Sequence, residues 1–120
     1  MPRLPRVISP IATLFTRDGI DVLLVSVELW PEHLVVRLAA SGGRAEQLAS
    51  DLLAPLRISV EDDVRTRYAP RSASIGGSGS EWHGDWFFAA GAPERASRLT
   101  VRVDPPGGEE VTVELDFAHG

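Results

Sequence analysis

At 120 residues, with 43% hydrophobic and 24% charged residues, the chain has the make-up of one folded domain and not of a disordered tail. It contains no cysteine, lysine or asparagine, which removes disulfides, thiolate metal sites, cysteine nucleophiles, Schiff-base chemistry and N-glycosylation. A net charge of −5 argues against nucleic acid as a partner, and no apolar run approaches the ~20 residues of a membrane-spanning helix.

Residues 1–6, with Pro2 and Pro5, read as a flexible N-terminal arm, and 7–118 as a single domain. The basic start leads into no uninterrupted apolar core, because Pro10 breaks it early, so a cytoplasmic protein is expected. Val7–Arg17 predicts a strand interrupted near Pro10, and Asp18-Gly19 a turn. Asp21–Ala40 then reads as a long β-hairpin. Leu23, Val25, Val27 and Leu29 alternate as one inward set, with Leu24 and Trp30 outward. On the second arm Leu34, Val36 and Leu38 point inward, and Val35 and Arg37 outward. Pairing Leu29 with Leu34 leaves a four-residue loop, Trp30–His33.

Beyond Ser41-Gly42-Gly43, Arg44–Leu53 carries helical spacing and reads either as a short helix or as an irregular crossover. Leu56–Tyr68 predicts a tight hairpin turning at Glu61-Asp62-Asp63, with Arg57, Arg65 and Arg67 on its outward face. Arg71–Ser80, rich in glycine and serine, reads as a flexible loop. Glu81–Ala89 is an aromatic strand, with Trp82, Trp86 and Phe88 on one parity and Phe87 on the other. Leu99, Val101 and Val103 give the next inward set. After the turn Pro105-Pro106-Gly107-Gly108 come Val111, Val113, Leu115 and Phe117. Seven or eight strands punctuated by turns predict an all-β antiparallel sandwich, with an up-and-down barrel as the alternative.

Three stretches carry a resemblance: Leu29-Trp30-Pro31-Glu32-His33-Leu34-Val35-Val36-Arg37, then Asp62-Asp63-Val64-Arg65-Thr66-Arg67-Tyr68, then the glycine-serine run with its aromatic strand. Together they look like a family of uncharacterised actinobacterial proteins. More distantly they resemble bacterial immunoglobulin-like accessory domains, in which an Asp-rich turn precedes a tyrosine. That pattern has a glycine between the aspartates and the threonine, where this chain has Arg65. The resemblance implies an immunoglobulin-like sandwich with a binding role and brings no catalytic residues.

Chemistry-bearing patterns are sparse. A phosphate-cradling loop needs a lysine, and Gly76–Ser80 does not fit a nucleophile elbow. Ser78 or Ser80 with His83 and Asp85 supplies the residue types of a hydrolytic triad, but strand spacing makes them more simply polar surface. His33, His83 and His119 lack metal-ligand spacing towards Asp62, Asp63 and Asp85. Arg57, Arg65 and Arg67 read either as a solvated face or as a docking patch for an acidic partner. Trp30, Phe87, Leu24 and Val35, if they share one surface, make an apolar contact patch. The expectation is a non-catalytic protein-interaction or assembly module, without cofactor or metal, engaging a protein partner or a second copy of itself. A small-ligand or metal carrier, and a small hydrolase using Ser78 or Ser80 with His83, are the alternatives.

Overall fold

The computed structural model describes residues 6–42, 53–78, 81–93 and 95–116. Alternating apolar residues organise these into nine strands: β1 (Arg6–Ile8), β2 (Ala12–Arg17), β3 (Ile20–Leu29), β4 (Leu34–Gly42), β5 (Arg57–Asp62), β6 (Ala69–Ser78), β7 (Glu81–Ala89), β8 (Arg98–Asp104) and β9 (Val111–Asp116). All pairings are antiparallel. The larger sheet runs β1–β3–β4–β7–β6, with β2 also on β3, and the smaller runs β5–β8–β9. Counted from β3, the first, second, fifth and fourth strands form one sheet and the third, sixth and seventh the other. These seven strands form an all-β antiparallel sandwich. The count reaches nine because the added edge strand is split in two.

The split lies at Ser9-Pro10-Ile11, as the proline predicts. β1 pairs with Val27–Leu29 and β2 with Ile20–Leu24, leaving Val25 and Ser26 opposite the break. Ile11 adopts φ 46°, a left-handed conformation that a β-branched residue seldom takes. Asp18 and Gly19, both at positive φ, form the two-residue turn from β2 into β3.

The long hairpin is present with the expected loop. Leu29 pairs with Leu34, and the Trp30 N–H donates to the His33 carbonyl at 3.0 Å. Its first arm differs from the expected alternation. Leu24 pairs with Leu38 and Ser26 with Arg37, so Val25 is an extra residue in a β-bulge. The bulge inverts the parity before it. Val22 and Leu24 face the core at 0% exposure, and Val27 and Leu29 face it after the bulge. Leu24, expected on the outside, belongs to the core. The continuous run Leu23-Leu24-Val25 left both parities open.

Residues 56–68 form no hairpin. β5 pairs with β8 and β6 with β7, so 62–69 hands the chain from the smaller sheet to the larger. Asp62 fixes this corner. Its Oδ1 accepts the N–H groups of Val64 (3.0 Å) and Thr66 (2.9 Å), and its Oδ2 accepts the buried Tyr68 hydroxyl at 2.8 Å. Asp63 turns the other way, accepting from the Ser97 N–H and hydroxyl and from the Arg98 N–H at the start of β8. Arg65, at the position where the resembled pattern has glycine, takes φ 62°. Partial burial acts to raise the Asp62 pKa, but the hydrogen bonds from Thr66, Tyr68 and Val64 outweigh it and hold the carboxyl below the usual range. The Ser97 and Arg98 donors hold Asp63 at about 2. Burial, and then donation to Asp62, push the Tyr68 phenol up.

The glycine-serine run is not a loop but the outer strand of the larger sheet. Gly76 pairs with His83 and Gly77 with Trp82. Gly77 has a packing reason: a Cβ there would lie 2.5 Å from the Glu81 carbonyl oxygen, 2.6 Å from Trp82 Cα and 2.9 Å from Trp82 Cδ2, whereas one at Gly76 would meet open space. Across the pair, a Cβ at Gly84 would lie 2.6 Å from the Trp86 ring. The core between the sheets is made by Val22, Leu24, Val27, Leu34, Val36, Leu38, Phe88, Leu99, Val101 and Val103, with Trp86 and Tyr68 closing it. The short helix expected at 44–53 lies outside the described residues except for Leu53, which is buried. The arm at 1–5 and Phe117 also lie outside them, and Arg6 belongs to β1.

Two outcomes follow from this packing. Gly84→Ala should destabilise by about 1–3 kcal/mol, the range for an overpacked core, read as a lower urea midpoint at unchanged m. Asp62→Ala strands the Tyr68 hydroxyl and two N–H groups and should cost about 2–3 kcal/mol. The depressed carboxyls stabilise the fold above their unfolded pKa, and that contribution disappears as pH falls through the folded values. Stability should therefore drop between about pH 4 and pH 2, and the drop should flatten in Asp63→Asn. Urea titrations across that range measure it.

Candidate functional site

Strand pairing places the outward side chains of the larger sheet in rows across it. One row runs Val7, Glu28, Val35, Phe87 and Ser72. The next runs Ser26, Arg37, Asp85 and Ser74, and a third runs Thr13, Leu23, Ala39, His83 and Gly76. Apolar groups flank a charged centre on this face, while the smaller sheet carries ion pairs of its own, Arg98 with Asp116 and Arg102 with Glu61 and Glu110.

The centre is a connected chain of polar contacts. Arg37 Nε donates to Asp85 Oδ1 at 2.7 Å, and Nη2 reaches Oδ2 at 3.5 Å. Arg37 Nη1 donates to Glu28 Oε2 at 2.8 Å, and Trp30 Nε1 donates to Glu28 Oε1 at 3.0 Å. One guanidinium thus joins β3, β4 and β7. Its pKa is raised by hydrogen bonding to Asp85, against a lowering by desolvation, with the fields of Asp85 and Glu28 adding to the rise. Trp30 is held from its other face by His33, with ring centroids 5.4 Å apart and planes 10° apart. These contacts hold the indole at the end of the hairpin.

The expected contact residues are therefore partly together. Trp30 and Phe87 lie on this face, both half-buried. Val35 also points outward, between Glu28 and Phe87, but at 3% exposure it is covered and supports its neighbours without offering surface. Leu24 is on the opposite face of the sheet, in the core. Val7, at 55% exposure, extends the row beyond Glu28 and was not singled out from the sequence. Glu28, Arg37 and Asp85 were missed as a unit because nothing local reveals that β4 pairs with β7.

The arginines do not make the patch that a hairpin would have given. Arg57 opens β5, across from Asp104. Arg65 and Arg67 lie in the crossover that follows the far end of that strand. Arg67 borders a shallow cavity of about 400 Å³ lined also by Val60, Glu61, Thr66, Tyr68 and Ala69. Of the hydrolase constellation, His83 is exposed on the outer face and both oxygens of Asp85 accept from Arg37. Ser80 and the side chain of Ser78 lie outside the described residues. Among the described residues no three His, Asp or Glu side chains converge on a metal-sized space, and no helix is long and apolar enough to cross a membrane.

Arg37→Ala should cost about 1–2 kcal/mol, reduced from the value of a fully buried charged hydrogen bond because the guanidinium is partly exposed. A double-mutant cycle with Asp85→Ala should return a coupling near 1 kcal/mol, and independent effects would mean the pair contributes nothing.

No family model matches the chain, and no curated protein does. Among solved structures it is similar to one described as the crystal structure of the conserved domain protein from Bacillus anthracis, with a TM-score of 0.61 at 12% sequence identity. The likeness covers 95% of this chain and 49% of that one, so the chain spans about half the length of that protein. At this identity the likeness establishes the two-sheet fold and nothing of the activity.

Proposed function

We propose that the protein is a non-catalytic, immunoglobulin-like interaction module whose outer sheet face docks a protein partner. The observation that carries this reading is the fixed surface around Arg37. Trp30 is immobilised by Glu28 and His33, and Phe87 sits on the covered base of Val35. Rigid aromatic groups flanking a satisfied ion pair cost little conformational entropy on binding and are the residue types that dominate contact energies. The kinship with immunoglobulin-like accessory domains and the cytoplasmic setting expected from the sequence belong to the same proposal. Against a catalytic role stands the engagement of Asp85 by Arg37.

The test is site-specific photo-crosslinking in the source cell. A crosslinker at position 30 or 87 should yield a discrete crosslinked protein, whereas one at Ser59 or Thr112, on the smaller sheet, should not. Purified partner should then bind Phe87→Ala about tenfold or more weakly, as for an interface anchor. Equal crosslinking from both sheets, or binding indifferent to Phe87, would refute the outer face as the contact.

A further inference from the structure

The four borders of the two sheets are unequal. The β1–β2 border is broken at Ser9-Pro10-Ile11 and cannot offer a continuous ladder. β5 is bordered by charge, with Arg57 and Glu61 exposed, and β9 carries exposed Glu114 and Asp116. Such breaks and charges are the devices by which sandwiches keep their borders from pairing. β6 has none of them over most of its length. It is a ten-residue strand that, among the described residues, pairs with β7 alone. From Ser72 to Gly77 it carries no charge, no proline and only one side chain larger than serine, Ile75. Ala73 has the parity of the sandwich interior yet is exposed, whereas Ile75, on the same parity, packs against the core, so this strand is only partly covered on its inner side.

We infer that β6 is the self-association edge of the protein, where the β6 strand of a second copy adds antiparallel to form one continuous sheet. The occupant follows from self-complementarity. Two identical strands pair antiparallel about a two-fold axis normal to the sheet, so each residue before the axis meets its counterpart after it. With the axis at Ser74, Ser72 meets Gly76, Ala73 meets Ile75 and Arg71 meets Gly77. Small residues face small or single larger ones, and no like charges oppose one another. On a chain of net charge −5, this uncharged strand is where two copies approach with least repulsion. The axis keeps both outer faces on the same side, so the dimer presents two Trp30–Phe87 surfaces side by side. The edge is separate from that face and does not depend on its function.

The absence of cysteine makes the test clean. Single cysteines placed in turn at 72, 73, 74, 75 and 76 are treated with an oxidant or a short bismaleimide. Crosslinked dimer should peak at one position within the run, Ser74→Cys in the register above, and a control at Thr112→Cys should give none. By light scattering the wild type should reach twice 13.0 kDa as concentration rises. Ser72→Lys with Ser74→Lys should return it to the monomer mass with an unchanged circular dichroism spectrum. Trp30→Ala with Phe87→Ala should leave the dimer intact. A wild type that stays monomeric to about 1 mM, a dissociation constant worth only ~4 kcal/mol, would overturn the inference. So would a dimer that survives the lysines or is dissolved by the aromatic pair.

Discussion

One extra residue in β3 decides what each side of the larger sheet is. Without Val25 the strand would keep a strict two-residue period, and either Val22 and Leu24 or Val27 and Leu29 would leave the core. The bulge lets both pairs face inward, and it delivers Ser26, Glu28 and Trp30 together to the outside. The break in the neighbouring strand at Ser9–Ile11 lies opposite this same point, so the two irregularities share one locus. The hydrophobic demand of the interior and the composition of the outer face are thus settled by the same local insertion.

The second constraint is carried by paired carboxylates acting in different directions. Asp62 closes its own corner, while Asp63 reaches across to Ser97 and Arg98. Adjacent residues therefore tie the exit of β5 both to the crossover that leaves the smaller sheet and to the entry of β8 within it. On the outer face the logic is reversed. There one cation, Arg37, gathers two carboxylates from different strands, and the residual negative charge remains at the surface.

Much of the fold was legible because several strands have one dry face. The inward sets of β4, β7 and β8 and the Leu29–Leu34 register follow from counting by two, and the break near Pro10 follows from the proline. Three things resisted that counting. An uninterrupted apolar run such as Leu23-Leu24-Val25 has no parity to read, so the bulge was silent. The acidic run at 61–63 has turn chemistry, but whether a turn returns to the same sheet or crosses to the other depends on donors further on, at Thr66 and Tyr68. The glycine-serine run reads as flexible only while Trp82 and Trp86 are considered apart from it. Opposite Trp82, at Gly77, and beside Trp86, at Gly84, glycine is what the space allows. On the candidate surface, the outward parity of Trp30 and Phe87 was visible from spacing, whereas the Glu28–Arg37–Asp85 link required knowing which distant strand lies beside β4.

The divided border strand has a consequence for how the molecule opens. β1 contributes three residues and β2 six, and each is fastened to a different part of β3. They are therefore able to detach separately, and the three-residue piece is the weaker one by number of ladder bonds. Its departure would bare the side of Val27–Leu29 that points away from β4 while leaving the Asp18–Gly19 hairpin closed. In hydrogen-exchange terms, Arg6–Ile8 forms a small opening unit of its own, and the N–H groups that face it would exchange at its rate and not at that of the whole sandwich.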